Sequence, residues 1–250
     1  MSSITIGKSV STIYDFAFGG SNNTATDLIW NAQNCEYAGD HEFSNIERLT
    51  IGNEVIALPE NFVLSSKITS VTIPNSVTSI GANAFGGCES LKSVSIGNSV
   101  TIINESAFMG CKSLTNVTIP QSVDFIGFGT FQDCIGLTNL ECHPTTPPDA
   151  EDIFYDRFFY NQTTLFVPAE AIDAYRTHDE WGKFTHIVPF IGAGPGDING
   201  DGNIAISDVT GLIDLLLNSE EVPAWADVDG NGEVTIKDVT TLIDKLLSNN

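Results

Sequence analysis

The chain is poor in positive charge. It carries 10 Lys and Arg against 32 Asp and Glu, for a formal net charge of −22. Nucleic-acid binding needs a basic footprint, so no nucleic-acid partner is expected. No apolar run reaches the length of a membrane span. The 5 cysteines form no C-x-x-C pair and the 4 histidines are scattered, which argues against a zinc site. There is no G-x-S-x-G elbow, H-E-x-x-H helix or phosphate-cradling glycine loop. The acid pair Glu151–Asp152 sits in a loop with no nearby His or Lys to tune it. The chain is therefore expected to be no enzyme, with no catalytic residues.

What is present is concentrated at one end. Two acidic twelve-residue loops read DINGDGNIAISD from Asp197 to Asp208 and DVDGNGEVTIKD from Asp227 to Asp238. Calcium is a hard cation that takes six to eight oxygens, and a loop supplies them from positions 1, 3, 5, 7, 9 and 12 around a Gly at 6. The expected side-chain ligands are Asp197, Asn199, Asp201 and Asp208 in the first loop, with Asn203 giving its carbonyl. In the second they are Asp227, Asp229, Asn231 and Asp238, with the carbonyl of Glu233. Gly202 and Gly232 make the turns, and at position 9 Ala205 and Thr235 leave room for a water. Two calcium ions are expected.

An amphipathic stripe follows each loop. Val209, Leu212, Ile213, Leu216 and Leu217 form the first, and Val239, Leu242, Ile243, Leu246 and Leu247 the second. Ile204 and Val234, at loop position 8, are placed to pair. The helix-breaking IGAGPG precedes Asp197, so each unit is loop–helix with no entering helix. Residues 197–250 hold 11 acids and 2 basic residues. That repulsion in so small a module couples cation binding to folding.

This duplicated unit, with Asp at position 12, resembles a type I dockerin. The resemblance implies two halves related by near two-fold symmetry that bind a cohesin module. It also implies recognition through loop positions 10 and 11, here Ile206–Ser207 and Ile236–Lys237. Many dockerins carry a basic pair midway along the helix, where this chain has Ile213–Asp214 and Ile243–Asp244. The departure points to a divergent cohesin-like partner.

The larger part of the chain is repetitive. VTIPNSVTSIGANAFGGCESLKS, VSIGNSVTIINESAFMGCKSLTN and VTIPQSVDFIGFGTFQDCIGLTN follow one another from Val71 to Asn139 with a period of 23. Such a period marks a solenoid, whose stacked coils share one core. V-x-I predicts a short strand per coil, stacked into a parallel sheet. The Asn/Gly/Ala/Phe stretch predicts a turn, with room for one helical turn, on the other face. Looser copies open at Ile4, Leu28 and Leu49, and Leu140–Cys142 and Leu165–Pro168 read as the last two strands, giving about eight coils. The pattern I-x-x-x-A-F-x-x-C-x-x-L resembles the BspA-like leucine-rich repeats of bacterial surface proteins. Residues 164–190 resemble the C-terminal cap of such proteins. The resemblance implies a right-handed curved solenoid that displays a contact surface.

The expected architecture is thus a leucine-rich-repeat solenoid over residues 1–190, a Gly-rich joint over 191–196 and a small all-α calcium module over 197–250. No signal peptide precedes the strand-like start MSSITIGKSV. Either the protein is cytoplasmic, or this is a mature form whose leader has been removed. Calcium loops suit the second reading, a secreted or cell-surface protein of a bacterium. The expected role is non-catalytic interaction or adhesion, with the tail docked to a cohesin-type partner, in a polysaccharide-degrading assembly in one version. The alternative is a free surface adhesin whose calcium module only stabilises the solenoid.

Three further features qualify this picture. Cys88, Cys111 and Cys134 share one coil position and are expected to form a buried, inert column. Thr72, Ser95 and Thr118, flanked by Ser70, Ser93 and Asn116, give a small polar strand face. That face suits hydrogen bonds to a peptide or glycan but lacks an aromatic platform for sugar stacking. The irregular segments 19–41 and 144–160 hold surplus aromatics, read chiefly as caps on the core.

Overall fold

The computed structural model describes residues 2–15, 17–18, 23–36, 43–168, 171–190, 205–218, 228–229 and 234–248. Two compact units emerge, Met1–Val188 and Pro189–Asn250.

The first unit is a parallel β-solenoid of about eight turns. Its front ladder is built from β1 (Ser3–Ile6), β2 (Asp27–Trp30), β3 (Arg48–Ile51), β5 (Ser70–Thr72), β7 (Ser93–Ser95), β9 (Asn116–Ile119), β11 (Asn139–Cys142) and β13 (Thr164–Pro168). Parallel pairing with the strand one coil away runs within β1–β2–β3, β5–β7 and β9–β11–β13, as Val71 with Val94 and Val117 with Leu140. The alternation in the sequence decides the faces. Along β9, Val117 and Ile119 are buried while Asn116 and Thr118 face solvent. Thr72 and Ser95 are likewise exposed, so the small polar face is present as expected.

The opposite face differs from the expected turn or helical turn. A second parallel ladder runs through β4 (Ala57–Leu58), β6 (Ser79–Ile80), β8 (Ile102–Ile103), β10 (Phe125–Ile126) and β12 (Asp149–Ala150). Ile80, Ile103 and Ile126 are in register, and their side chains are buried. Closing each coil is a turn segment whose alternate N–H groups donate to the next coil. Asn83, Phe85 and Gly87 donate to Glu105, Ala107 and Met109 at 3.0, 2.8 and 2.6 Å. This third set of bonds needs left-handed backbone at two positions per coil, filled by Asn83, Ser106 and Gly129 and by Gly87, Gly110 and Asp133. Gly and Asn reach that region at least cost, Asp and Ser somewhat less readily.

Between the three sides lies a continuous aromatic column. Phe62, Phe85, Phe108, Phe131 and Phe154 follow one another at ring centroid distances of 5.9, 5.3, 5.9 and 6.2 Å. Trp30 meets Phe62 at 4.8 Å at one end, and Phe184 meets Phe154 at 5.9 Å at the other. The cap is formed by α1 (Arg157–Gln162), α2 (Ile172–Thr177), a 3-10 turn at Trp181–Lys183 and β14 (His186–Phe190). Phe154, Phe159 and Tyr160 close the core as expected of the 144–160 segment, whereas Tyr155 and Phe158 are exposed. The front ladder also gains one strand over expectation, because β14 lies beside β13.

The cysteine column is as expected and has a hydrogen-bonding role in addition. Cys88, Cys111 and Cys134 are free, fully buried thiols. Each S–H donates to a carbonyl of the preceding coil, those of Val63, Phe85 and Phe108, at 3.3, 3.3 and 3.1 Å. Burial pushes the Cys88 thiol up to about 11 and those of Cys134 and Cys142 up to about 12.

The second unit contains α3 (Ile206–Asn218) and α4 (Ile236–Ser248). Val209, Leu212, Val228, Val239 and Leu242 form its core, with Ile213, Leu216, Val234 and Leu246 partly buried against it. The buried face is narrower than the sequence stripe. Leu217 and Leu247 are 74% and 71% exposed, and Ile243 is also exposed, because two short helices cover only one face of each other. Ile204, the expected partner of Val234, lies outside the described residues. No helix among the described residues is long and apolar enough to cross a membrane.

Two outcomes test this architecture. Phe108→Ala removes a ring stacked on both sides and should cost about 3–5 kcal/mol in denaturant unfolding. The raised thiol values give a second check. A thiol held neutral in the fold stabilises it below its unfolded value near 9.0 and stops doing so as pH rises through its folded value. Stability should therefore fall between about pH 9 and 12, and Cys88→Ala with Cys134→Ala should flatten that fall.

Candidate metal centre

The acidic loops run directly into their helices. α3 and α4 begin at loop position 10, so the position-12 residues Asp208 and Asp238 fall in the first helical turn. Both are fully buried. A buried carboxylate is costly unless it accepts hydrogen bonds. Asp208 Oδ2 accepts the N–H of Ala205 at 2.8 Å, and Asp238 Oδ2 accepts that of Thr235 at 2.8 Å. This reaches back across the helix start as a capping box does. Asp238 Oδ1 accepts two more, from Val228 at 2.8 Å and Asp229 at 3.2 Å. Burial raises the Asp238 carboxyl, but the N–H donors of Thr235, Asp229 and Val228 outweigh it and hold the group below the usual carboxylate range. Asp229 pairs with Lys237 at 2.6 Å across the same loop.

Of the ten expected ligands, Asp208, Asp229 and Asp238 are described. Asp197, Asn199, Asp201, Asn203, Asp227, Asn231 and Glu233 lie outside the described residues. Among the described residues no group of three His, Cys, Asp or Glu gathers as a metal cluster. The donor chemistry of those that are described fits a hard cation. They are carboxylate oxygen donors, and at position 12 both halves orient the carboxylate by the same bond from the N–H at position 9. The expected recognition positions are turned the other way. Ile206 and Ile236 are 72% and 70% exposed, and Lys237 is exposed. The side chain of Ser207 lies outside the described residues.

One expectation about the solenoid is corrected here. Asp152 does have a lysine partner: Lys183 Nζ lies 2.6 Å from Asp152 Oδ1 and 2.6 Å from Glu180 Oε2. Sequence reading missed this because Asp152 and Lys183 lie in different coils. Glu180 is buried and accepts the N–H groups of Asp152 and Ile153, each at 2.9 Å, and the hydroxyl of Tyr160. The group has four donors and is a structural clamp joining the cap to the last coil. Glu180→Ala would strand those donors in the interior and should cost about 3–5 kcal/mol by thermal or denaturant unfolding.

Two families match this chain. The BspA type leucine rich repeat region matches in 6 copies over residues 1–89 and 56–166. The dockerin type I domain matches residues 195–247. No curated protein matches. Among solved structures, a leucine rich cell surface protein from Faecalibacterium prausnitzii is 26% identical, with a TM-score of 0.42 over 58% of this chain and 48% of that one. The chain thus spans about half the length of that protein. The leucine-rich-repeat protein of T. pallidum is 17% identical, with a TM-score of 0.45 over 71% of this chain and 74% of its own. One from Bacteroides ovatus is 18% identical, with a TM-score of 0.35 over 75% and 65%. Both matching families are typically non-catalytic interaction modules of extracellular or cell-surface proteins, and type I dockerins generally bind calcium. The chain belongs to the BspA-type leucine-rich-repeat family and carries a type I dockerin domain at its C-terminal end.

Proposed function

We propose that this protein is a non-catalytic extracellular adaptor. Residues 1–190 form the target-facing solenoid, 191–196 a joint, and 197–250 a tail that binds two calcium ions and docks to a cohesin-type module. The observation that carries this reading is the repeated division of labour in the first turns of α3 and α4. In each, the position-12 carboxylate is buried and accepts the N–H at position 9, while the position-10 isoleucine two residues earlier is left in solvent.

In this reading Asp197, Asn199, Asp201 and Asp208 hold one ion with the carbonyl of Asn203. Asp227, Asp229, Asn231 and Asp238 hold the other with the carbonyl of Glu233. Bound calcium supplies positive charge to a segment with 11 acids and 2 basic residues. The chain's own part is to fix the first helical turns, which presents Ile206, Ser207, Ile236 and Lys237 as one docking surface. The departure at Ile213–Asp214 and Ile243–Asp244 sets the choice of partner.

The immobilised full chain should capture at least one of a panel of purified type I cohesin modules in millimolar calcium and release it in chelator. Capture of none, with a calcium-dependent rise in the solenoid's melting temperature, would instead support the stabilising role. Asp197→Ala with Asp227→Ala should abolish both capture and the calcium-dependent gain in helical signal. Ile206→Asp with Ile236→Asp should weaken capture at least about tenfold and leave the helical gain intact.

A further inference from the structure

The polar front ladder is not the only surface that the solenoid offers. Around β8, β10 and β12 the second ladder exposes large side chains. Ile102 and Phe125 are adjacent in register and both face solvent. Phe128, in the turn after β10, is 47% exposed, and Tyr155, 73% exposed, packs edge-on against it at 6.1 Å. Neither Phe128 nor Tyr155 is needed by the aromatic column, which Phe131 and Phe154 already supply.

Phe125 and Phe128 line a cleft of about 430 Å³ with Glu105, Asp149 and Glu151. Glu105 comes from the coil before, and Asp149 and Glu151 from the coil after. The carboxylates of all three are exposed, and among the described residues none forms an ion pair or a side-chain hydrogen bond. Some acids of the solenoid are paired instead. Asp27 holds Arg48, Glu54 holds Lys8, Glu89 holds Lys112 and Asp152 holds Lys183. What sets this cleft apart is that its three unpaired acids surround exposed rings.

A ring face attracts a cation, and more so when carboxylates beside it complete the charge. A planar guanidinium satisfies both demands at once, stacking on the ring and donating to flanking carboxylates, which an ammonium does less well. We propose that the cleft on the second ladder is a docking site for an arginine-bearing segment of a partner protein. Phe125 and Phe128 supply the ring faces, with Tyr155 packed behind Phe128, and Glu105, Asp149 and Glu151 the counter-charge. The proposal rests on the reading of the solenoid as an interaction scaffold and names the chemistry of its partner.

The test uses the full chain in saturating calcium and three blocked tripeptides, of arginine, lysine and citrulline, titrated by calorimetry. Because the whole protein is acidic, the comparison between variants decides the matter. Glu105→Gln with Glu151→Gln should weaken the arginine peptide about tenfold, whereas Glu47→Gln with Glu60→Gln, the same charge change elsewhere, should leave it within about twofold. Phe128→Ser should weaken the arginine peptide more than the lysine peptide. Its unfolding transition, which should be unchanged for so exposed a ring, serves as the folding control. Equal effects of the two double variants, or equal binding of citrulline, would overturn the proposal. So would Phe128-dependent binding of cellohexaose with none of the arginine peptide, since it would make the rings a sugar platform. None of these outcomes bears on calcium-dependent capture of a cohesin, so the site can fail while the adaptor reading stands.

Discussion

The solenoid depends on one constraint: the strand and alternate turn N–H groups of a coil must find their carbonyl partners one coil away. A coil of 23 residues is too short to satisfy itself, and its neighbours do so on three sides. The front ladder, the second ladder and the turn segment each contribute rows of these bonds. Once the rows are in register, side chains at equal coil positions must stack in columns. The phenylalanine column, the cysteine column and the two left-handed positions per coil all follow from that register. The cysteines show how strict the geometry is. A small side chain with a donor fits where it can reach the carbonyl of the preceding coil, and a bulkier one would push the coils apart.

Much of this was legible in the sequence, for a physical reason. A column repeats its residue type, so the period, the strand at V-x-I and the buried Ile, Phe, Cys and Leu positions could be read directly. The second ladder was not legible. Its strands are two residues long and bury a single Ile, too little for an alternation to register. The cap was harder still, because it breaks the repeat. Its extra strand β14 and the bond between Asp152 and Lys183 join segments with no spacing in common. In the tail, Asp208 and Asp238 are buried at the starts of the two helices. The width of the apolar stripe misled, since Leu217 and Leu247 lie on its edge and two helices leave that edge uncovered.

The two units solve the problem of acidity in opposite ways. On the solenoid, several acids are neutralised by a basic residue one coil away, as Asp27 is by Arg48. The tail has too few cations for this. Backbone N–H groups take their place at Asp208 and Asp238 and fix the carboxylates. Several solenoid acids are thus answered by side chains, whereas the two buried tail carboxylates are answered by backbone.

The clamp at Glu180 has a mechanical consequence. The dockerin domain follows the solenoid in the chain, so any pull through a docked tail enters the solenoid at its last strand. A stack of coils is most easily opened from an end, one coil at a time. Glu180 and Lys183 tie that end back to Asp152 and Ile153 in the coil beneath. The first step of peeling must then break several bonds together instead of one. The buried carboxylate would act as a rivet against any load entering from that end.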